Sequence, residues 1–246
     1  MDIADCLIMQ HGMKPSKIVG VHMQKLKNAA ILFDLDGTLI DTAPDLAASM
    51  NFVLQQNGRR EVPAADVRNM VGRGARVLIE RGMAATGRPA TEPELDQLFD
   101  QFLEHYLDHI ADQSVVFPAV EKTLIKLKDA GALLAVCTNK PEGASIKLLK
   151  EFSLEGYFSA IVGGDSLPVR KPDAGHIFGT IEKMGGGAAT AIMVGDSAND
   201  IDAAIAAGIP VIGVPFGYTP IPIHDLGADA IVEHFDDLIE ALVELL

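Results

Sequence analysis

Apolar residues along the chain fall into two kinds of pattern. Six short stretches are apolar throughout: Ala29–Phe33, Leu133–Cys137, Ala160–Val162, Ala191–Val194, Val211–Val214 and Ala230–Val232. Strands buried on both faces of a parallel sheet read this way, because neither face meets water. Between most of them apolar residues recur at helical spacing. Val120, Leu124 and Leu127 share a face, and Gly131 follows as a stop. Ile177, Phe178, Ile181 and Met184 form a second stripe, entered through Pro172 and ended by Gly185–Gly187. Ile201, Ala204 and Ile205 form a short third, stopped at Gly208. From about Phe117 onward helix and strand alternate, which predicts an α/β fold with a doubly wound parallel sheet.

The interval between the first two strands has only the helical pattern. Thr42 is placed to cap a helix with Pro44 in its first turn, whose face is Leu46, Ala47, Met50, Val53 and Leu54. A shorter helix is expected near Ala75–Ala85. Thr91 and Glu94 have capping-box spacing, and Leu95, Leu98, Phe99, Phe102, Leu103, Tyr106, Leu107 and Ile110 then keep helical register. A helical block of about 70 residues is too long for a simple crossover. The expected organisation is therefore an α/β core over 29–41 and 113–246, with an all-helical cap inserted over 42–112. Residues 1–28 are expected to be an N-terminal arm; they show no secretory pattern, and Met13 and Met23 are alternative starts.

Composition narrows the functions. The chain carries 34 acidic against 20 basic residues, a formal charge of −14, which disfavours nucleic acid as a partner. The longest apolar run, Ala132–Cys137, falls far short of the roughly 20 residues of a membrane span. Two cysteines, Cys6 and Cys137, make no disulfide framework, so a cytoplasmic protein is expected.

Ligands of open α/β sheets bind beyond the carboxyl ends of the strands. Three strands end in polar residues: Asp34-Leu35-Asp36-Gly37-Thr38, Thr138-Asn139, and Gly195-Asp196-Ser197-Ala198-Asn199-Asp200. These ends are expected to converge, bringing together Asp34, Asp36, Asp196 and Asp200. Carboxylates so crowded repel and raise each other's pKa unless a hard cation joins them. Mg²⁺ suits such oxygens together with a substrate phosphate. Thr138, Lys171 and the backbone N–H groups after Asp34 and Thr138 offer donors for that phosphate. The spacing suggests a Mg²⁺-dependent phosphoryl-transfer site.

The same residues resemble the motifs of the haloacid dehalogenase superfamily. Phe33-Asp34-Leu35-Asp36-Gly37-Thr38-Leu39 looks like its first motif, Thr138 its second, Lys171-Pro172 its third, and Gly195-Asp196 with Asp200 its fourth. The motifs appear in order, and the likeness spans about residues 29–246. A helical insertion after the first motif resembles the C1 cap subclass. Within it, Asp41-Thr42-Ala43-Pro44-Asp45-Leu46, Val71-Gly72-Arg73-Gly74-Ala75 and Val194–Ala203 look like the bacterial phosphoglycolate phosphatases.

The resemblance implies a small phosphorylated metabolite as substrate, 2-phosphoglycolate first. It makes Asp34 the nucleophile and Asp36 the acid and base. Thr138 and Lys171 would grip the phosphoryl group, with Gly37, Thr38 and Asn139 also beside the phosphate. Asp34, the carbonyl of Asp36 and Asp196 would hold Mg²⁺, with Asp200 a further ligand or an orienting group. Arg73, with Gly74 beside it, is the candidate reader of a substrate carboxylate. His105 and His109 have metal-like spacing but are expected on a solvated face. Cys137, with no histidine placed beside it by the sequence, is expected to be inert. Competing readings are a phosphomutase of the β-phosphoglucomutase type, a phosphatase for a sugar phosphate or pyrophosphate, and a non-catalytic binding module. The oligomeric state is left open.

Overall fold

A computed structural model describes residues 23–186 and 190–246. In chain order it contains β1 (Ala30–Phe33), β2 (Ile40–Asp41), α1 (Ala43–Gln56), α2 (Ala64–Arg68), α3 (Ala75–Thr86), α4 (Glu92–Asp108) and β3 (Val115–Val116). Then come α5 (Val120–Asp129), β4 (Leu133–Cys137), α6 (Glu142–Glu151), β5 (Ala160–Val162), α7 (Ala174–Lys183), β6 (Ala191–Gly195), α8 (Ala198–Ala207), β7 (Val211–Gly213), β8 (Ala230–Ile231) and α9 (Leu238–Leu245). Among the described residues no helix is long and apolar enough to cross a membrane.

The main sheet has the order β5-β4-β1-β6-β7-β8, and every pair in it is parallel. Ala30 is level with both Leu133 and Ala191, so β1, β4 and β6 end almost together. Strand order turns outward in both directions from β1, which makes its carboxyl end the switch point where a crevice forms.

Alternation along the strands divides the core in two. Ile31, Phe33, Val136 and Val194 pack with Leu124 of α5, Leu148 of α6 and Leu242 of α9. Leu32, Ala135, Cys137 and Met193 pack with Ile177 of α7 and Ala204 of α8 on the other face. The expected doubly wound sheet is present. Two apolar stripes were drawn too wide: Phe178 and Ile205 are exposed. Helix α7 begins after Pro172, at Asp173, whose Oδ1 accepts the Gly175 N–H at 2.7 Å.

The interval of the expected cap is indeed helical, α1 to α4, but it is closed by a feature the pattern did not show. β2 and β3 pair antiparallel, Ile40 opposite Val116 and Asp41 opposite Val115. Asp45, buried at the start of α1, seals the same neck. It accepts the N–H groups of Gln113 at 2.9 Å and Ser114 at 2.8 Å, and the Ser114 hydroxyl at 2.6 Å. The insertion has no separate core: Leu46, Met50, Leu98 and Phe102 belong to the same buried cluster as Phe33 and Leu39.

Of the expected N-terminal arm, residues 1–22, with Cys6 and Met13, lie outside the described residues, as does Gly187. The remainder is packed: Leu26 is buried, Lys25 Nζ donates to the Val243 carbonyl at 3.0 Å, and the Asn28 N–H donates to the Gly131 carbonyl at 2.9 Å.

Candidate active site

Asp34 follows β1, Thr138 follows β4, and Asp196 follows the last residue of β6. All three are buried. Asp34, Asp36 and Thr138 line one cavity with Val71, Gly72, Gly74 and Ala75 of one loop and with Leu46, Leu78, Phe102, Leu103 and Tyr106 from the inserted helices. The cavity is small, on the scale of a compact ligand and not of a polymer.

Asp34 Oδ1 accepts the Leu35 N–H at 2.7 Å and lies 3.2 Å from Lys171 Nζ. Lys171 Nζ also donates to Asp200 Oδ1 at 2.5 Å, and its side chain is almost wholly buried. Burial raises the Asp34 carboxyl; Lys171 opposes this and Asp200 and Asp36 add to it, leaving it at about 6. Burial, then Asp200 and Asp34, push Asp196 well above the carboxylate range. Burial disfavours the Lys171 cation, but Asp200 and Asp34 outweigh it and the ammonium is held charged.

Carboxylate oxygens of Asp34, Asp196 and Asp200 lie within 4.8 Å of one another. An all-oxygen cluster fits a hard divalent cation, whose charge would offset the burial and mutual repulsion of these carboxylates. Asp200 is the least available of the three. Its Oδ1 is taken by Lys171, and its Oδ2 accepts the Ser197 N–H at 3.0 Å and the Ser197 hydroxyl at 2.7 Å.

The residues expected around a phosphate have other partners. The Gly37 N–H donates to the Ile40 carbonyl at 2.9 Å. Gly37 has φ of +85°, and a Cβ there would sit 2.5 Å from Asp196 Oδ2, so the glycine makes room for that carboxylate. Thr38 Oγ1 donates to Asp196 Oδ1 at 3.2 Å. Asn139 Nδ2 donates to the Lys171 carbonyl at 3.0 Å and the Gly72 carbonyl at 3.3 Å, while its Oδ1 is buried without a partner. Gly74 does line the cavity. Arg73 does not: it is exposed and lines a separate depression with Asn69, Arg81 and Pro172. Between two cavity-facing glycines, its side chain takes the outer side of the loop. The structure thus brings together Asp34, Asp36, Thr138, Lys171, Asp196 and Asp200, and leaves Arg73 apart.

Several contacts went unread in the sequence. Lys140, two residues past Thr138, is buried with Nζ 2.9 Å from Asp36 Oδ1 and 2.7 Å from the Tyr106 hydroxyl. Burial works against its charge, but Asp36 and Tyr106 raise its pKa. Thr42 Oγ1 donates to Asp36 Oδ1 at 2.8 Å and makes no capping bond. The loop after β7 supplies Gly217, where a Cβ would meet Asp196 at 2.2 Å, and Tyr218, whose N–H donates to Asp196 Oδ2 at 2.6 Å. The Tyr218 hydroxyl donates to Asp41 Oδ1 at 2.6 Å. Asn199 Nδ2 donates to the Gly72 carbonyl at 3.1 Å. The strand-end rule that selected Asp34 and Thr138 applies equally to Lys140, Gly217 and Tyr218.

His105 is half-buried, stacked 4.1 Å from the Phe52 ring with Nδ1 3.0 Å from Ser49 Oγ. Only His109, paired with Asp112 at 2.8 Å, fits the expected solvated face. Cys137 does have a histidine neighbour, His176 Nδ1 at 3.3 Å. His176 Nε2 donates to the Gly163 carbonyl at 3.0 Å, so Nδ1 is an acceptor for the S–H. Burial pushes the Cys137 thiol up to about 11, which keeps it protonated and inert.

Residues 31–214 match the model of the haloacid dehalogenase-like hydrolase family. The chain is 46% identical over 224 residues to a phosphoglycolate phosphatase of Caulobacter vibrioides, covering 91% of this chain and 94% of that one. It is 46% identical over 215 residues to a phosphoglycolate phosphatase of Agrobacterium fabrum, covering 87% and 92%. Among solved structures, a predicted phosphoglycolate phosphatase of Haemophilus somnus superposes with a TM-score of 0.82 at 35% identity, covering 88% and 98%. With the sheet, the strand-end carboxylates and these likenesses in agreement, the chain belongs to the haloacid dehalogenase-like hydrolase family, as a phosphoric monoester hydrolase.

Proposed function

We propose that the protein is a Mg²⁺-dependent phosphatase that cleaves a small phosphomonoester, 2-phosphoglycolate before others, through a phosphorylated Asp34. The observation that carries this reading is the gathering, at the switch point of the sheet, of Asp34, Asp36 and Thr138 on one small cavity with Lys171 and Asp196 close against Asp34. Relatives named phosphoglycolate phosphatases at 46% identity support the substrate.

In the first step the Asp34 carboxylate attacks phosphorus and the bond to the substrate oxygen breaks. The Leu35 N–H and Lys171 fix the rotation of the carboxylate. Asp36, on the cavity wall, protonates the departing alcohol oxygen. It then takes a proton from water, which attacks the phosphorus on Asp34, releases inorganic phosphate and restores the carboxylate. Thr138 and Lys171 hold the transferring oxygens; Asp200 and Ser197 hold Lys171 in place. Asp34, Asp196 and the Asp36 carbonyl would hold Mg²⁺, which would supply neutralising charge for a loose transition state. Gly37, Thr38, Gly217 and Tyr218 position Asp196 for that task. Helices α1, α3 and α4 form the cap that sizes the substrate.

The test is phosphate release from phosphoglycolate, sugar phosphates, nucleoside monophosphates and pyrophosphate, with Mg²⁺ or chelator. Phosphoglycolate should have the highest kcat/KM, chelation should abolish turnover, and Asp34→Asn should lose at least about 10³-fold. Activity surviving in Asp34→Asn would sink the mechanism. An isomerised sugar phosphate in place of free phosphate would mark a mutase.

A further inference from the structure

A substrate that ends in a carboxylate needs a cation on the cavity wall, and the residue expected to supply one, Arg73, is on the outside. Lys171 is engaged with Asp34, Asp200 and, in the proposed mechanism, the phosphoryl oxygens, and it does not line the cavity. Arg76 and Arg170 line a shallower depression beyond Gly74 and Ala75. Among the described residues lining the cavity itself, the one cationic side chain is Lys140.

Its position matches the geometry of a two-carbon acid. In phosphoglycolate a single carbon separates the ester oxygen from the carboxylate. Asp36 serves the ester oxygen in the proposed mechanism, so a group bonded to Asp36 stands about one carbon further along the substrate. Lys140 Nζ is 2.9 Å from Asp36 Oδ1, and it donates to the Tyr106 hydroxyl at 2.7 Å. That hydroxyl accepts from Lys140, which leaves its own hydrogen to donate. The Lys140 ammonium, held also 4.4 Å over the Tyr106 ring, and the Tyr106 O–H therefore form a two-donor cradle joining core to inserted helix. The rest of the wall that the inserted helices supply is apolar, with Leu46, Leu78 and Phe102.

We propose that Lys140, with the Tyr106 hydroxyl, binds the carboxylate of the substrate and sets the preference for a short phosphorylated acid. The inference rests on the phosphoglycolate reading above and deepens it. The rival role for Lys140 is to position Asp36 alone.

The two roles separate on a pair of substrates. 2-Phosphoglycolate and ethyl phosphate share the ester and differ in the carboxylate. Wild type, Lys140→Met and Tyr106→Phe are assayed on both. Lys140→Met should lower kcat/KM on phosphoglycolate by about 100-fold, and on ethyl phosphate by less than about 10-fold. Tyr106→Phe, which removes one hydroxyl and keeps the ring, should lose about 5-fold on phosphoglycolate, chiefly in KM, and little on ethyl phosphate. If Lys140→Met does not fold, the Tyr106→Phe split decides. An equal loss on both substrates would make Lys140 a positioner of Asp36 and overturn the proposal while leaving the phosphatase reading intact. A wild type that does not favour phosphoglycolate over ethyl phosphate takes both down.

Discussion

Asp34 and Asp196 are buried acids whose neighbours include other acids, and their protonation is linked to everything the site binds. A carboxyl with a raised pKa keeps its proton in the folded chain over a range where the unfolded chain has lost it. For Asp34 that range runs from 3.8 to about 6. Its contribution to stability is therefore full below the range and is lost as pH rises through it. A divalent cation competes for the same oxygens and must displace the proton. Mg²⁺ binding should weaken below about pH 6, by roughly tenfold per pH unit for each proton displaced. Titration calorimetry in buffers of different ionisation heat would count those protons; an affinity independent of pH between 5 and 7 would contradict the assignment. At this scale the sequence was readable where chemistry follows directly from a strand end, as at Asp34, Thr138 and Asp196. At Lys140 the same rule marks a position near a strand end but not its role, which depends on Tyr106, a residue from another element.

The inserted helices are joined to the core at a narrow neck, and the neck depends on Asp45. Its carboxylate accepts the Gln113 N–H and, from buried Ser114, both the N–H and the hydroxyl. Asp45→Ala leaves those donors unpaired, two of them on the buried Ser114. It should cost about 3 kcal/mol of stability by chemical denaturation, with activity retained in the fraction that stays folded. A loss below about 0.5 kcal/mol would show that the neck is held by the β2–β3 pairing and by apolar packing instead. Helices α1 and α4 were legible because their apolar stripes persist over several turns and their cores are real: Met50, Leu98 and Phe102 are buried. The β2–β3 ribbon was not, because two-residue strands carry no period to detect. The Thr42 signal misled for a related reason. A threonine before a helix is a good cap, but here Asp36 is the stronger claimant on its hydroxyl.

Over the whole molecule, a formal charge of −14 encloses a site whose own acids need a cation. Binding of Mg²⁺ to the native state alone should raise stability by about 2.7 kcal/mol at a hundredfold excess over Kd, several degrees in Tm for a chain of this size. Asp196→Asn should show no shift in Tm with Mg²⁺. A wild-type Tm indifferent to Mg²⁺ would place the cation elsewhere. The acidic surface and the proposed cation site are thus separate properties, and the net charge disfavours polyanionic partners without opposing a small phosphate.

The sequence by itself determined the α/β core, the helical insertion and the principal carboxylates, because each leaves a local trace: an unbroken apolar run, a 3.6-residue stripe, an acid at the end of a strand. Only the tertiary structure decided that β4 and β6 flank β1 and end level with it, so that Asp34, Thr138 and Asp196 share one crevice. It also decided that Arg73 turns outward and that Lys140 meets Asp36 and Tyr106. Those facts depend on which distant surfaces pack together, and the burial free energy that selects the packing belongs to the assembled core and not to any one segment.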